Sequence, residues 1–191
     1  MTNPEPPPPG ELAAVRAREP EALARFFERH FDSIYALVYR LLGERAAAED
    51  VTQEVFYKVY RAAHTLDPER DPRPWLRSIA YNACRDVWRS GAYRLSRRSR
   101  SLEGEPGLGD RLTSGLGEPE KDALRAERER LVQAALLELP ENLRVPIVLH
   151  DYEDLSHAEI ATMLGVHHAA ARKRYSRALA ALGARLKEML G

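Results

Sequence analysis

The stretch LSHAEIATMLGVHHAAARKRYSRALAAL, residues 155–182, decides how the rest of this chain is read. Ser156 followed three residues later by Glu159 has the spacing of a capping box, which satisfies orphan amides at a helix start. Behind it Ile160, Met163 and Leu164 recur at helical spacing, so a short helix with one apolar face is expected. Gly165 supplies the permissive backbone for a tight turn. Beyond the turn Ala171, Tyr175, Ala178, Leu179, Leu182 and Leu186 fall within one arc at about 100° per residue. Lys173, Ser176 and Arg177 point the other way, with Arg172 and Arg174 on the flanks. A capped helix, a turn and a helix with a basic outer face have the pattern of a helix-turn-helix, whose second helix enters the DNA major groove. The competing reading is a helical bundle with a solvated basic side. His167 and His168 are adjacent and cannot share a face as i, i+4 metal ligands would. They suit capping or DNA contact instead, and no metal site is expected.

Outward from this unit, helical periodicity dominates and strand signals are nearly absent. Leu23, Phe26, Phe27, Phe31, Ile34, Tyr35, Val38, Leu41 and Leu42 predict an amphipathic helix ending at Gly43. A second helix is expected over roughly 46–63, buried through Val51, Val55, Val59 and Ala62. HTLDPERDPRP at 64–74 reads as a loop, with prolines at 68, 72 and 74 as breakers. A third helix is expected over about 74–90, with Trp75, Leu76, Ile79, Ala83 and Val87 as its apolar face. Residues 91–119 turn to Gly, Ser, Pro and Arg without periodicity, the composition of a flexible linker. Helical pattern resumes near Glu120, with Leu124, Leu131, Ala135, Leu136 and Leu139 as candidate core. A further helix is expected over 143–152, starting late or kinked at Pro146, which lacks a backbone donor. The expected fold is all-α. It comprises a Pro-rich disordered terminus (1–20), a helical domain (21–92), a flexible linker (93–119) and a helix-turn-helix domain (120–191).

Composition narrows the function classes. The 191 residues are 44% hydrophobic and 30% charged with a formal net charge of zero, so the basic character is local rather than global. Cys84 is the only cysteine, which rules out an internal disulfide and Cys-rich metal sites. No apolar run approaches the roughly 18 residues of a membrane span, and the N-terminus has the run PEPPPPG in place of a signal peptide. A cytoplasmic protein without membrane insertion is expected. Neither a P-loop nor a nucleophile elbow occurs, and no carboxylate pair or triad stands out. The reading is therefore not an enzyme, with no cofactor and no small-molecule substrate.

Two further faces carry candidate functional residues. With Val51 and Val55 inward, the second helix turns Glu49, Asp50, Gln53, Tyr57 and Tyr60 outward, with Glu54 and Phe56 at the edges. Charges alone would make a solvated face. Aromatics among them suit a docking surface for a basic protein partner. With Trp75, Ile79 and Ala83 inward, the third helix presents Arg77, Tyr81, Arg85, Trp88 and Arg89, with Asn82 adjacent. Guanidinium groups that track phosphates and rings that stack on bases suit single-stranded nucleic acid. The alternative places Trp88 in the core and leaves the arginines as solubilising charges.

Three segments together resemble the extracytoplasmic-function (ECF) sigma factors, the smallest members of the bacterial sigma-70 family. AEDVTQEVFYKVY at 48–60 is similar to the family's AED-x-x-Q-E-x-F segment. PWLRSIAYNACRDVWR at 74–89 resembles its W-L-x-x-I-A-x-N-x-x-x-D-x-x-R pattern through Trp75, Leu76, Ile79, Ala80, Asn82, Asp86 and Arg89. LPENLRVPIVLHDYEDLSHAEIATMLGV at 139–166 matches its LP…R…L…LS-x-x-E-I-A-x-x-L-G-V segment. The resemblance spans nearly the whole chain beyond residue 20.

It implies a subunit that directs core RNA polymerase to promoters. Asp50, Gln53, Glu54 and Tyr57 would bind polymerase at the β′ clamp helices, with the β flap as a second contact. His64, Arg70, Arg73, Arg77, Tyr81, Asn82, Arg85, Trp88 and Arg89 would recognise and melt the minus-ten element, where base extrusion costs a few kcal/mol. His168, Arg172, Lys173, Arg174, Ser176 and Arg177 would read the minus-thirty-five element. An anti-sigma factor is a further implied partner. The chain departs from the family at Ala169–Ala171, where a Gly-Thr-Val-like run is common. It departs also at Tyr175, where an aliphatic residue is usual, and at Pro146. Two other functions fit parts of the pattern: a dimeric helix-turn-helix regulator of palindromic sites, and a helical adaptor that reads no DNA. A native mass separates the first, and indifference to changes at 172–177 marks the second.

Overall fold

The computed structural model describes residues 8, 10–90 and 119–191. Every regular element among them is helical: α1 (Glu11–Arg16), α2 (Pro20–Leu42), α3 (Arg45–Ala62), α4 (Arg73–Arg89), α5 (Pro119–Glu138), α6 (Glu141–Ile147), α7 (His157–Leu164) and α8 (His168–Leu190). A 3-10 turn, Ala63–Thr65, follows α3, and a π turn, Val148–Tyr152, follows α6. The described residues group into two compact units, one containing 10–38 and 44–90, the other 39–43 and 119–191. The linker expected at 93–119 lies, up to residue 118, outside the described residues, and Pro119 opens a helix.

In the first unit α2 and α3 follow their apolar periodicity. α3 buries Ala48, Val51, Thr52, Val55, Phe56 and Val59, a strict i, i+3, i+4 stripe. Phe27 of α2 meets Phe56 with ring centroids 4.9 Å apart, and Phe31 stacks on the same ring at 5.8 Å. Two expectations are corrected. Residues 1–20 are not uniformly disordered: α1 forms within them and buries Leu12 and Val15. It ends in a left-handed residue, Arg18 (φ 63), with Glu19 N–H on Ala14 C=O at 3.0 Å, so a non-glycine closes a Schellman turn.

The second correction concerns the phase of α4. It buries Leu76, Ala80, Ala83, Cys84 and Trp88, while Trp75, Ile79 and Val87 are only half-buried. Pro72 and Pro74 sit at its start, where a missing donor costs nothing. Cys84 is fully buried, and burial pushes its thiol well above the ordinary range.

The second unit closes on Ala135, Leu136, Leu139, Ile147, Ala178 and Leu182, with Tyr152 and Tyr175 packed against them. Leu124 and Leu179, expected in the core, are exposed. α6 begins at Glu141, earlier than expected, and runs through Pro146 before the backbone widens into the π turn. Arg144 is wholly buried and serves the end of α5: its guanidinium donates to the carbonyls of Leu136 (3.0 Å), Leu137 (2.8 Å) and Leu139 (2.9 Å). These carbonyls lie at and just beyond a helix C-terminus, where positive charge is favoured. None of the helices among the described residues is long and apolar enough to cross a membrane.

Candidate nucleic-acid and partner interfaces

The turn before α8 is built as the sequence implies. Ser156 Oγ accepts the Glu159 amide at 3.3 Å while Glu159 Oε2 accepts the Ser156 amide at 2.8 Å, a reciprocal capping box. Gly165 (φ 64) ends α7, with Val166 N–H on Ala161 C=O at 2.9 Å. His167 then holds the N-cap position of α8 without a side-chain capping bond. Burial of Ala171, Ala178 and Leu182 turns His168, Arg172, Lys173, Ser176 and Arg177 to solvent, with Arg174 half-buried at the flank. Among the described residues none of Arg172, Lys173, Arg174 and Arg177 has an ion-pair partner. The face is an open row of cations at the spacing of a groove-reading helix.

Behind α8 lies a cluster that sequence reading missed. Tyr175 Oη donates to Asp151 Oδ1 at 2.7 Å. Its ring lies 4.6 Å from that of His150 and 5.0 Å from that of His157, and the two histidine rings stack at 4.5 Å. His157 is held below its ordinary pKa, first by burial and then by His150, Arg172 and His168. The contacts join the π turn, α7 and α8, so no spacing within one helix would reveal them.

On α3, Asp50, Gln53, Glu54 and Tyr57 are all exposed, Tyr57 at 56%. Phe56, expected at the edge of this face, is buried. Two arginines brace the aromatics. Arg61 lies over the Tyr57 ring at 5.9 Å and Arg18 over the Tyr60 ring at 5.3 Å, with Arg18 donating to the Arg61 carbonyl at 2.8 Å. Arg18 could not be anticipated without α1. Lys58 bridges Glu54 (3.7 Å) and Asp86 of α4 (3.5 Å), so part of the acidity of this face is already offset.

The loop and α4 present a more compensated surface. Arg70 pairs with Asp67 at 3.1 Å and Arg73 with Asp71 at 2.6 Å. Burial raises the Asp71 pKa, but the hydrogen bonds and charge of Arg73 more than offset it and hold the carboxyl below its ordinary value. His64 and Asn82 are exposed, as is Arg89, while Arg77, Tyr81 and Arg85 are half-buried. Arg85 lies 6.0 Å from the Tyr81 ring. Trp88 does not join this surface: it is 5% exposed and meets Tyr81 edge-on at 6.5 Å from within the core.

A two-unit helical protein with a capped helix-turn-helix in one unit and an acidic-aromatic helix in the other is the architecture of a sigma-type transcription subunit. Residues 26–94 match the family described as sigma-70 region 2, and residues 129–182 match sigma-70, region 4. The chain is 30% identical to the ECF RNA polymerase sigma factor SigW of Bacillus subtilis, over 93% of this chain and 96% of that one. It is 36% identical to SigE of Mycolicibacterium smegmatis over 78% of this chain, which spans 55% of that relative. The chain belongs to the ECF sigma factors. The solved structure of CnrH in complex with the cytosolic domain of CnrY is similar at a TM-score of 0.63 and 27% identity, covering 93% of this chain and 96% of that one. A second solved structure, RpoE with the anti-sigma factor NepR from Bartonella quintana, shares the fold at a TM-score of 0.65 and 18% identity, over 86% of this chain and 96% of that one.

Proposed function

We propose that this sigma factor works in the cytoplasm, binds core RNA polymerase and divides promoter recognition between its two units, with no chemistry of its own. The domains are read as residues 21–92 and 120–191, joined by the segment 93–119. Asp50, Gln53, Glu54 and Tyr57 dock on the β′ clamp helices, with the β flap as a second polymerase contact. The loop from His64 to Arg73, with Arg77, Tyr81, Asn82, Arg85 and Arg89, engages the minus-ten element as it melts. Trp88 is left out of this set because its ring is not available to stack on a base. His168, Arg172, Lys173, Arg174, Ser176 and Arg177 read the minus-thirty-five element.

The observation that carries this reading is the row Arg172, Lys173, Arg174 and Arg177 on α8, without an ion partner among the described residues and presented by a capped turn. In the same chain α3 exposes acids and tyrosines that suit a basic protein rather than DNA. An anti-sigma partner is part of the reading: CnrH was solved in complex with the cytosolic domain of CnrY, and RpoE in complex with the anti-sigma factor NepR. Run-off transcription with purified core polymerase tests it: this chain should yield transcripts from a restricted promoter set. Absence of any promoter-directed transcript would overturn it.

A further inference from the structure

We infer that Tyr175 is a positioning residue: its tie to Asp151 and its packing on His150 and His157 fix the rotation of α8 about its own axis, and so decide which bases Arg172, Lys173, Ser176 and Arg177 address. The inference rests on the reading of α8 as the DNA-facing helix.

Around the basic face the inward side of α8 is poorly keyed against rotation, and the helix's other tie to a neighbour, from Arg185 to Glu138, is exposed and lies well beyond that face toward the C-terminal end. Two of its three buried residues are alanines, Ala171 and Ala178, and apolar contact is non-directional. A hydrogen bond is directional, and one from a hydroxyl to a carboxylate is of the stronger kind. Tyr175 supplies that bond at 2.7 Å, while its ring packs against a stacked pair of histidines from different elements. The donor persists across the working pH range, because burial, then the bond to Asp151 and its charge, push the phenol up to about 12.

The other end of the tie is braced too. His150 and Asp151 sit in the π turn, and His150 Nδ1 lies 2.7 Å from the Leu155 carbonyl, closing the loop that leads into α7. A helix with its side chains is about 10–12 Å across, so a turn of roughly 20° moves the side-chain tips by about 2 Å. That displacement is enough to break a base-edge hydrogen bond, whose useful range is only about 2.7–3.2 Å.

The test uses the full chain assembled with core polymerase and a pool of duplexes randomised upstream of a fixed minus-ten element. The wild type should enrich one upstream motif. Tyr175→Phe and Asp151→Ala should each lower discrimination between that motif and its single-base variants by about three- to ten-fold, with the unfolding midpoint close to wild type. Combining them should add nothing further. Asp151→Asn, which keeps an acceptor oxygen in place, should restore most of the discrimination. Arg172→Ala serves as the separate control for the DNA face. If Arg172→Ala leaves selection intact, the reading of α8 fails and the inference with it. If Arg172→Ala abolishes selection while Tyr175→Phe and Asp151→Ala discriminate as the wild type does, the positioning inference alone is overturned.

Discussion

On α8, Arg172, Lys173 and Arg177 stand in solvent without an ion partner among the described residues, whereas in the loop before α4 Arg70 and Arg73 are each held by an aspartate. Both surfaces are proposed to meet DNA, and they would meet it differently. A lone cation that contacts a phosphate releases a counterion and makes binding steeply salt-dependent. A paired arginine must exchange a carboxylate for a phosphate, and because exposed pairs are worth only about 0–1 kcal/mol the exchange is easy. On the proposed reading the C-terminal unit would find duplex DNA electrostatically. The N-terminal unit holds its arginines in a prearranged geometry.

The buried Trp88 gives the sharpest way to break this comparison. If it is core, Trp88→Ala destabilises the N-terminal unit by about 3–5 kcal/mol, seen as a lower urea midpoint. Unchanged stability with impaired promoter melting would return the ring to the DNA surface.

The second effect in size is a pH dependence of the same unit. Buried His30 has its pKa lowered to about 4, first by burial and then by Arg29 and Arg73, against the opposing pull of the Asp71 and Glu11 carboxylates. The unfolded chain therefore takes up this proton first. Stability is full above about pH 6.5, falls as pH drops toward 4, and loses on the order of 2–3 kcal/mol over that window. Replacing His30 by Phe should flatten the slope in a pH series of urea melts.

On α8 the effect shifts from folding to binding. Arg172→Ala should weaken upstream binding by about 1–3 kcal/mol if it loses a bidentate base contact. If it loses only a phosphate, affinity should fall more evenly across sequences and the salt slope should drop by about one unit. Titrations at several salt concentrations separate the two. The smallest effect belongs to Asp71→Asn, which releases Arg73. Binding to a minus-ten single strand should tighten by about 0.5–1 kcal/mol and become more salt-dependent. No change would mean that Arg73 is not used on DNA.

The parts of the molecule that could be read from sequence were those whose signal lies within one element. The α3 stripe from Ala48 to Val59 and the capping box at Ser156 are of this kind. α4 was misread for a definable reason. Trp75 and Trp88 are 13 residues apart, which places them about 220° apart on a helix at 100° per residue, so only one can face the core. Taking Trp75 as inward forced Trp88 outward. The structure resolves the choice through Leu76, Ala80 and Cys84, which share an i, i+4 row with Trp88. α1 escaped notice because six residues beside a proline run hold too little periodicity to register. The Tyr175 cluster escaped because its members come from three elements.

Cys84 has a practical consequence for studying this protein in motion. It is the only thiol in the chain, it is shut inside α4, and burial keeps it protonated and unreactive toward electrophiles. The folded wild-type protein is therefore a silent background for thiol-directed dyes. A single cysteine placed on either unit could be labelled without removing the native one, turning the binding of that unit to polymerase into an optical signal.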